Sequence, residues 1–223
     1  MYFKQHISSF RFIISKNNPK VGVGMEKVDR RITKTKKAIL CAYLSLLQTK
    51  GADSISVSDI TKKADINRAT FYAHYRDKFD LLEQSIKEVL DDLEKAIEIH
   101  NENQETFSLK TLEDIFKGIL TNIYKHKEFY TVMLGQNGPS IFSEKLQEIF
   151  YEKTVKGLTT VHRKGEIDLV VPKPIYLSYV TSAQFGVTKY WIKNNYTESP
   201  IFMAQQLLML FKLGGATIAE YTE

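Results

Sequence analysis

The segment spanning residues 58–82 constrains the fold more strongly than any other part of the chain. It reads SDITKKADINRATFYAHYRDKFDLL. Apolar side chains recur at helical spacing around its beginning, at Val57, Ile60 and Ala64. Asn67 follows an interruption in this pattern and is suited to cap a second helix. The segment therefore predicts two short helices joined by a tight turn, with the second helix over 68–75.

The second helix is too short to be stable in isolation and has an unusual composition. It carries Arg, Thr, Tyr and His side chains on one side and Phe71 and Tyr75 on the other. Such a helix is accounted for if Phe71 and Tyr75 pack on neighbouring helices while the polar side enters the major groove of DNA. The alternative is a small helical subdomain whose polar side chains only face water. The spacing by itself does not decide between these two interpretations.

In the DNA-binding interpretation, the N-terminal end of the second helix reaches the base edges. Arg68 can donate two hydrogen bonds to a guanine. Ala69 and the methyl group of Thr70 can contact the methyl group of a thymine. We therefore predict that these three residues read bases.

Phosphate contacts are predicted around the same helix. Tyr72 and His74 can donate hydrogen bonds to phosphates at the walls of the groove. Lys78 adds a positive charge at the start of the following helix, where exposed backbone N–H groups also attract anions. Ser56, the predicted cap of the first helix of the pair, can contact the other strand in the same way.

The charge of the chain is distributed unevenly. The formal net charge is +5, but residues 1–80 hold 16 Lys and Arg against 7 Asp and Glu. Residues 81–223 hold 15 against 19. A basic N-terminal part joined to a slightly acidic remainder is typical of a nucleic-acid-binding module attached to another domain.

The rest of the chain is also predicted to be helical, which gives an all-α fold of about nine helices. One helix begins near Thr35 and ends before Gly51, and Asp77 can cap a long helix that reaches about His100. Ser199-Pro200 is a start signal for the last helix. Apolar residues at spacings of three and four predict the others, over about 109–123, 129–134, 140–164, 175–194 and 200–221.

The first 24 residues do not match this organisation. They contain a short apolar stretch near Phe10, but it is too short for a signal peptide and no cleavage site of small residues follows. A second methionine, Met25, opens a polar and basic lead-in. We expect 1–24 to be a disordered extension or to be untranslated in the cell. A helix-turn-helix domain is then expected over 25–80, and a helical regulatory and dimerisation domain over 81–223.

The stretch from about Thr35 to Leu82 resembles the DNA-binding domain of TetR/AcrR-type bacterial transcriptional regulators. The pattern of that family is an apolar helix, a glycine, a Ser- or Thr-capped helix and the run T-[FL]-Y-x-[HY]-[FVY]-x-x-K-x-x-L-L. The matching residues are Gly51, Ser56, Ile60, Ala64, Thr70, Phe71, Tyr72, His74, Tyr75, Lys78, Leu81 and Leu82. Two departures are visible, because Asp65 replaces the usual glycine of the turn and Arg76-Asp77 replaces a more typical Gly/Pro/Asn-Ser/Asn pair.

The resemblance assigns roles to several of these residues. It implies that Thr70, Tyr72 and Lys78 contact the DNA backbone and that Arg68 and Ala69 read bases. It also implies a homodimer, in which the last two helices pair with their symmetry mates. A cavity in the second domain would bind a small-molecule effector that changes the separation of the two DNA-binding domains.

Candidate residues for these two sites follow from residue type and position. Small residues that permit close approach of helices, together with neighbouring large apolar residues, suggest a dimer interface at Ala183, Gly186, Trp191, Ala204, Leu208 and Phe211. Aromatic and methionine side chains suggest an effector pocket lined by Phe116, Tyr130, Met133, Phe150 and Tyr179. For each of these residues the alternative is ordinary core packing.

Other kinds of site find little support in the sequence. The single cysteine, Cys41, excludes an intrachain disulfide, and the five histidines lack the spacing of a metal site. No apolar run approaches the roughly 18 residues that span a bilayer. There is no nucleophile motif, phosphate-binding glycine loop or catalytic carboxylate pair. We therefore expect no enzyme activity, no metal, no cofactor and no membrane partner.

These observations predict a cytoplasmic, homodimeric, all-helical transcriptional regulator that represses a palindromic operator in double-stranded DNA. Two alternatives remain open. The first is an architectural or cell-cycle DNA-binding protein of the same fold without a small-molecule ligand. The second is an enzyme or ligand carrier that has kept the helices and lost DNA binding, although the basic residues around Arg68 and Lys78 argue against it.

Overall fold

A computed structural model describes residues 23–101, 109–162, 168–169, 171–212 and 219–220. Nine α-helices account for most of these residues, as the sequence predicts. Their bounds are α1 (Val23–Leu47), α2 (Val57–Ala64), α3 (Arg68–Tyr72), α4 (Lys78–Asn101), α5 (Leu109–Lys125), α6 (Lys127–Met133), α7 (Ser140–His162), α8 (Lys173–Lys193) and α9 (Pro200–Leu210). A 3-10 turn, Ala52–Ser54, connects α1 to α2. Two dipeptide strands, β1 (Asp168–Leu169) and β2 (Ala219–Glu220), pair antiparallel.

Helices α1, α2 and α3 and the start of α4 form an N-terminal unit, which we call the head. The capping residues act as the sequence predicts. The Ser56 hydroxyl accepts a hydrogen bond from the backbone nitrogen of Asp59, and Asn67 caps α3. Asp65 ends α2 in the left-handed conformation, with φ of 53°. Asp is among the residues that adopt this conformation most readily, which explains why it can replace the glycine expected in the turn.

The head is held together by apolar side chains from all of its helices. The fully buried members are Ile39, Tyr43, Leu47, Ile55, Ile60, Phe71 and Leu81. Because α3 has only five residues, its position depends on this packing and not on its own helical stability. The inward-facing Phe71 is therefore the residue that fixes the outer side of α3 relative to the rest of the head.

Helices α4 to α9 form the second part of the chain. Helix α5 packs on α4 and on α9, and α7 packs on α8. Short helix α6 contacts α1, α5 and α8, so it joins the head to the second part. In the turn after α6, the side-chain amide of Asn137 donates a hydrogen bond of 3.0 Å to the carbonyl of Gln48, just beyond the end of α1.

The α6–α7 turn has little room for side chains. An added Cβ at Gly138 would overlap the carbonyl oxygen of Met133, and one at Gly135 would lie 2.9 Å from the carbonyl oxygen of Thr131. The two glycines allow the chain to fold back tightly on the end of α6. Asn137 can therefore reach α1 from between them.

Several helix ends differ from the sequence prediction. Helix α3 ends at Tyr72 and not at Tyr75, because His74 and Tyr75 already belong to the turn into α4. Helix α9 ends at Leu210, whereas the apolar pattern predicted a helix to Tyr221. Helix α1 begins at Val23, ahead of the predicted start at Thr35. The predicted extension over 1–24 therefore lies outside the described residues, except for its last two.

Several of the helices are rich in apolar residues. Across the parts of the chain that the structure describes, no helix is both long and apolar enough to cross a bilayer.

Candidate nucleic-acid interface

Helix α3 presents two chemically different sides. Phe71 is fully buried, whereas Arg68 and Ala69 are exposed and the Tyr72 side chain is 50% exposed. Within the described residues, the guanidinium group of Arg68 has no hydrogen-bond or ion-pair partner. A free fork of five N–H donors beside a small side chain is suited to a guanine edge and its neighbour in the major groove.

The hydroxyl group of Thr70 is used within the protein. It donates a hydrogen bond of 2.9 Å to Oδ1 of Asn67, and the same oxygen accepts the Thr70 backbone N–H at 2.7 Å. A hydroxyl has a single proton to donate. Thr70 in this arrangement can offer its methyl group to a base, but it has no proton left for a phosphate.

Ser56 is engaged in the same way at the start of α2. Its hydroxyl donates to Oδ2 of Asp59 at 2.7 Å and accepts from the Asp59 backbone nitrogen at 3.1 Å. The Ser56 backbone N–H also donates to Oδ2, at 3.0 Å. Hydrogen bonds from the Ser56 backbone and side chain lower the pKa of the Asp59 carboxyl. The carboxylate therefore stays charged and keeps the capping box closed.

Tyr72 is exposed and His74 is half-buried. The Tyr72 ring meets Phe71 edge to face, with 5.6 Å between ring centroids, and His74 lies against Tyr75 at 6.3 Å. These contacts hold the rings, while no hydrogen bond engages their polar atoms in the described structure. Both side chains therefore keep their donors available for phosphates.

The turn between α3 and α4 is held by acidic side chains. Asp77 accepts hydrogen bonds of 2.8 Å from the backbone nitrogens of Phe79 and Asp80, and so caps α4. Asp80 accepts from the Arg76 backbone nitrogen at 2.8 Å, and its pKa is lowered mainly by this bond. The sequence predicts Asp80 as part of an acidic first turn of α4, but it does not predict the bond to Arg76. Tyr75 is buried against this turn, and burial raises its pKa to about 12.

Lys78 contacts the protein and not only solvent. Its Nζ lies 2.9 Å from the carbonyl oxygen of Ala52 and 2.8 Å from that of Asp53. The same ammonium group lies 5.1 Å from the centroid of the Phe79 ring. The side chain therefore joins the first residue of α4 to the 3-10 turn before α2.

The predicted pocket residues do not all come together. Phe116, Tyr130, Met133 and Phe150 are buried in the core of the second part, where the Tyr130 ring packs on Phe142 with 5.5 Å between centroids. Tyr179 is 49% exposed on α8, away from that core.

Polar atoms without partners occur inside the same core. The hydroxyls of Tyr130 and Thr188 and Oδ1 of Asn122 are buried and have no hydrogen-bond partner among the described residues. Burial, together with the nearby Tyr196 and Asp92, raises the pKa of Tyr130. These atoms are unusual because most buried polar groups are hydrogen-bonded.

The residues predicted for a dimer interface divide between two environments. Trp191 and Ala204 are fully buried, and the Trp191 indole N–H donates to the Glu198 carbonyl at 2.9 Å. Ala183 and Gly186 are exposed, and Leu208 and Phe211 are half-buried. The exposed apolar side chains of α8 and α9 are Ile175, Tyr179, Tyr190, Ile201, Phe202, Met209 and Leu210. The predicted set therefore mixes side chains that face the core with side chains that face solvent, and the interface itself stays a prediction.

Two family models match the chain. Residues 39–84 match the model described as bacterial regulatory proteins, tetR family. Residues 110–213 match the model described as a transcriptional regulator C-terminal region. Together the two matches cover about two thirds of the chain.

Curated relatives include an HTH-type transcriptional regulator of Bacillus subtilis, YxbF, which is 26% identical over 184 residues and 82% of this chain. The negative regulator of the biofilm operon icaADBC in Staphylococcus aureus, IcaR, is 31% identical over 110 residues and 48% of this chain. The matches cover 46% and 57% of those two proteins, so the chain spans about half the length of these relatives.

Solved structures share the fold. The fatty acid degradation regulator FadR of Bacillus halodurans has a TM-score of 0.62 at 15% identity, with 88% of this chain and 98% of that chain covered. FadR of Bacillus subtilis, solved in complex with stearoyl-CoA, has a TM-score of 0.59 at 18% identity, with coverage of 78% and 96%. At these identities, the two similarities show a shared helical fold.

Proposed function

This chain belongs to the TetR family of bacterial regulatory proteins. From that premise we propose that it is a DNA-binding transcriptional regulator that acts as a homodimeric repressor of a palindromic operator. We further propose that a small molecule bound in the second domain modulates its affinity for DNA. The single observation that carries the proposal is the outer side of α3, where Arg68, Ala69 and Tyr72 are exposed above a buried Phe71. The negative regulation by IcaR supports repression.

The proposed DNA contacts divide by chemistry. Arg68, Ala69 and the methyl group of Thr70 read base edges from the first turn of α3. Tyr72 and His74 donate to phosphates on either side of the groove. Ser56 keeps the N-terminus of α2 in place through its capping box, and its neighbouring backbone approaches a phosphate.

The proposed dimer uses the exposed apolar side of α8 with α9. Ile175, Tyr179, Ala183, Gly186 and Tyr190 follow one another along α8 at spacings of three and four, so they share one side of the helix. A Cβ placed at Gly186 would have no neighbour within 4 Å in the protomer. An exposed apolar stripe interrupted by a glycine is suited to close packing of two symmetry-related helices. A two-fold axis at this interface would also place the two α3 helices at the spacing of successive major grooves.

The proposed effector site is the core around Tyr130. This region combines buried aromatic and methionine side chains with hydroxyl groups that lack partners among the described residues. A largely apolar site with a few polar groups is the usual composition of a small-molecule pocket. FadR of Bacillus subtilis, which shares the fold, was solved with stearoyl-CoA, so this ligand is a first probe.

The proposal is tested with duplex DNA selected from a random library by the wild-type protein. We expect a palindromic consensus, one dimer bound per site, and transcriptional repression of a reporter that carries this site downstream of its promoter. Genome-wide footprinting then separates the two kinds of DNA-binding protein. A repressor occupies few sites, whereas dispersed occupancy of many sites would favour an architectural role. Failure to enrich any sequence at low salt would refute the proposal.

A further inference from the structure

Three helices of the second part each contribute a buried polar atom that has no partner among the described residues. The atoms are Oδ1 of Asn122 on α5 and the hydroxyls of Tyr130 on α6 and Thr188 on α8. Helix α6 packs on both α5 and α8. Burial raises the pKa of the Tyr130 phenol, as do the nearby Tyr196 and Asp92, and the same Asp92 accepts from the Asn122 amide at 3.1 Å. Asn122 and Tyr130 therefore both lie near Asp92.

Thr188 is connected to this region through the end of α8. It lies one helical turn before Trp191, and both side chains are fully buried. The Trp191 ring meets the Tyr196 ring, with 4.9 Å between centroids, and the Tyr196 hydroxyl lies 3.1 Å from that of Thr131. Thr131 is the residue after Tyr130 on α6. The buried side of α8 that carries Thr188 is therefore the side that packs beside α6.

The amide of Asn122 can be oriented in only one way. Its Nδ2 donates to the carboxylate of Asp92, and a flipped amide would place two acceptors against each other. Oδ1 is therefore fixed as a buried acceptor, and the part of the chain that the structure describes offers it no donor. A bound group that donates a hydrogen bond to this oxygen would recover the free energy that its burial costs.

The surroundings of these atoms do not favour a charged ligand. Along α5 to α9, the buried polar side chains that the structure describes are all uncharged, and they are Thr111, Asn122, Thr181, Gln184 and Thr188. The carboxylate of Asp92 already accepts from Lys125 and His126, each at 2.7 Å. Burial of an unpaired charge costs far more than burial of a neutral polar group. A carboxylate, phosphate or ammonium group would therefore bind weakly in this core.

We propose that this core binds an uncharged, mainly apolar molecule that donates a hydrogen bond, such as an alcohol or an amide, at Asn122, Tyr130 and Thr188. The inference rests on the proposed effector site and adds the chemical class of its ligand. The O–H or N–H group of the ligand donates to Oδ1 of Asn122. The two protein hydroxyls can donate or accept, so either can bond to the polar group of the same ligand. The charged head group of stearoyl-CoA has no buried cationic partner along the described parts of α5 to α9.

Four probes that share an octyl chain separate charge from hydrogen bonding. They are n-octanol, its methyl ether, octanoate and octylammonium, and calorimetry measures their binding to the full chain near neutral pH. We expect n-octanol to bind and the two charged probes to bind roughly tenfold or more weakly, because their charges would be buried unpaired. The methyl ether cannot donate to Asn122, so it should also bind roughly tenfold more weakly.

Two results with these probes would overturn the proposal. The first is octanoate or octylammonium binding as tightly as n-octanol. Octylammonium also tests Glu198, in the loop before α9, which has a buried carboxylate oxygen without a partner among the described residues. The second result is no binding of n-octanol, which would leave the three atoms to buried water.

Variants test whether the named hydroxyls are used. The double variant Tyr130→Phe/Thr188→Val removes both hydroxyls and keeps the size of the side chains, and we expect it to bind n-octanol roughly tenfold more weakly. Thr181→Val is the matched control on α8, because the Thr181 hydroxyl is buried but already donates to the Leu177 carbonyl at 2.8 Å. Wild-type affinity for n-octanol in the double variant would contradict the proposal. If the double variant does not fold, the two single variants carry the same measurement.

Failure of this inference is distinguishable from failure of the proposed function. If stearoyl-CoA binds and n-octanol does not, the effector site stands and the uncharged class of ligand is wrong. If the chain selects a palindromic operator but binds none of these molecules, repression stands without this effector. If no duplex is selected and n-octanol binds with the expected dependence on Tyr130 and Thr188, the site is a ligand site in a protein that does not bind DNA.

Discussion

Asp92 of α4 and His126, the residue between α5 and α6, are joined by a hydrogen bond of 2.7 Å from Nε2 to Oδ2. The same carboxylate oxygen accepts from Lys125 at 2.7 Å and from the Asn122 amide at 3.1 Å. Three donors from the C-terminal half of α5 and its junction with α6 therefore converge on α4. This cluster attaches the helix that leaves the head to the helices of the second part.

The Asp92–His126 pair predicts that stability falls as the solution is acidified. Burial lowers the pKa of His126 from 6.5, more than Asp92 raises it, so the folded protein favours neutral histidine. Burial would raise the pKa of Asp92, but the hydrogen bonds from His126 and Lys125 lower it below 3.8. Both pKa values are lower in the folded state, so the unfolded chain binds more protons. The contribution of this pair to the free energy of unfolding is complete above about pH 6.5. It declines first as His126 becomes protonated, and it declines again below pH 3.8 as Asp92 becomes protonated.

Chemical unfolding at a series of pH values measures this effect. His126→Gln cannot titrate but retains an amide donor for Asp92, so its stability should change less than that of the wild type between pH 7 and pH 5. Circular dichroism at pH 7 controls for correct folding. Parallel pH profiles for the two proteins would exclude His126 as the source.

Arg68→Ala should relax base preference at one position in each half-site. Loss of a bidentate contact to guanine should reduce the binding free energy by about 1–3 kcal/mol per half-site. The measurement is binding to a set of operators with single base changes. Arg76→Ala is the matched control, because Arg76 is also exposed but bonds to Asp80. A uniform decrease in affinity over all operators would instead identify Arg68 as a phosphate contact.

Asn67→Ala should destabilise the head and weaken DNA binding. The Asn67 side chain accepts both the backbone N–H and the hydroxyl of Thr70, and removal of a helix cap costs about 1 kcal/mol. Asn67→Asp keeps the accepting oxygen and should retain most of the stability. Thermal unfolding of both variants tests this prediction. Equal destabilisation by Ala and Asp would show that capping is not the reason.

Tyr190→Lys should dissociate the proposed dimer, whereas Tyr151→Lys should not. Both tyrosines are exposed, Tyr190 by 61% on α8 and Tyr151 by 44% on α7. Only Tyr190 lies on the apolar stripe with Gly186, and a lysine there would place like charges near the two-fold. Sedimentation equilibrium gives the mass of each variant. A dimer that survives Tyr190→Lys and dissociates with Tyr151→Lys would move the interface to α7.

Tyr130→Phe and Tyr196→Phe should differ in their effects on the free energy of unfolding. The Tyr130 hydroxyl has no partner within the described ranges, so its removal relieves a buried polar group and should leave stability unchanged or higher. The Tyr196 hydroxyl donates to the Lys127 carbonyl at 2.9 Å and lies 3.1 Å from the Thr131 hydroxyl. Its removal should cost about 1–3 kcal/mol. Chemical unfolding compares the two, and a large decrease in the stability of Tyr130→Phe would indicate a partner that the structure does not describe.

The local features of the head could be predicted from the sequence because they act over short distances. Ser56 and Asn67 cap helices through bonds to the residue three positions later. Asp77 caps α4 over two and three positions. The helix predicted to reach Tyr221 is wrong at its end, because Ala219–Glu220 pairs with Asp168–Leu169 as a strand, and a partner about 50 positions away cannot be read from an apolar pattern.

The sequence by itself determined the helical class, the helix-turn-helix and the residues of its outer side, since periodicity and caps depend only on neighbours along the chain. Only the tertiary structure decided which donors remain free for DNA. Lys78 has the residue type of a phosphate contact, but its acceptors lie 25 and 26 positions earlier. Likewise, Trp191 faces the core and Tyr190 faces outward, although they are adjacent. Such assignments depend on how helices that are distant in sequence pack together, because this packing decides which acceptor lies beside each donor and which side of each helix is covered.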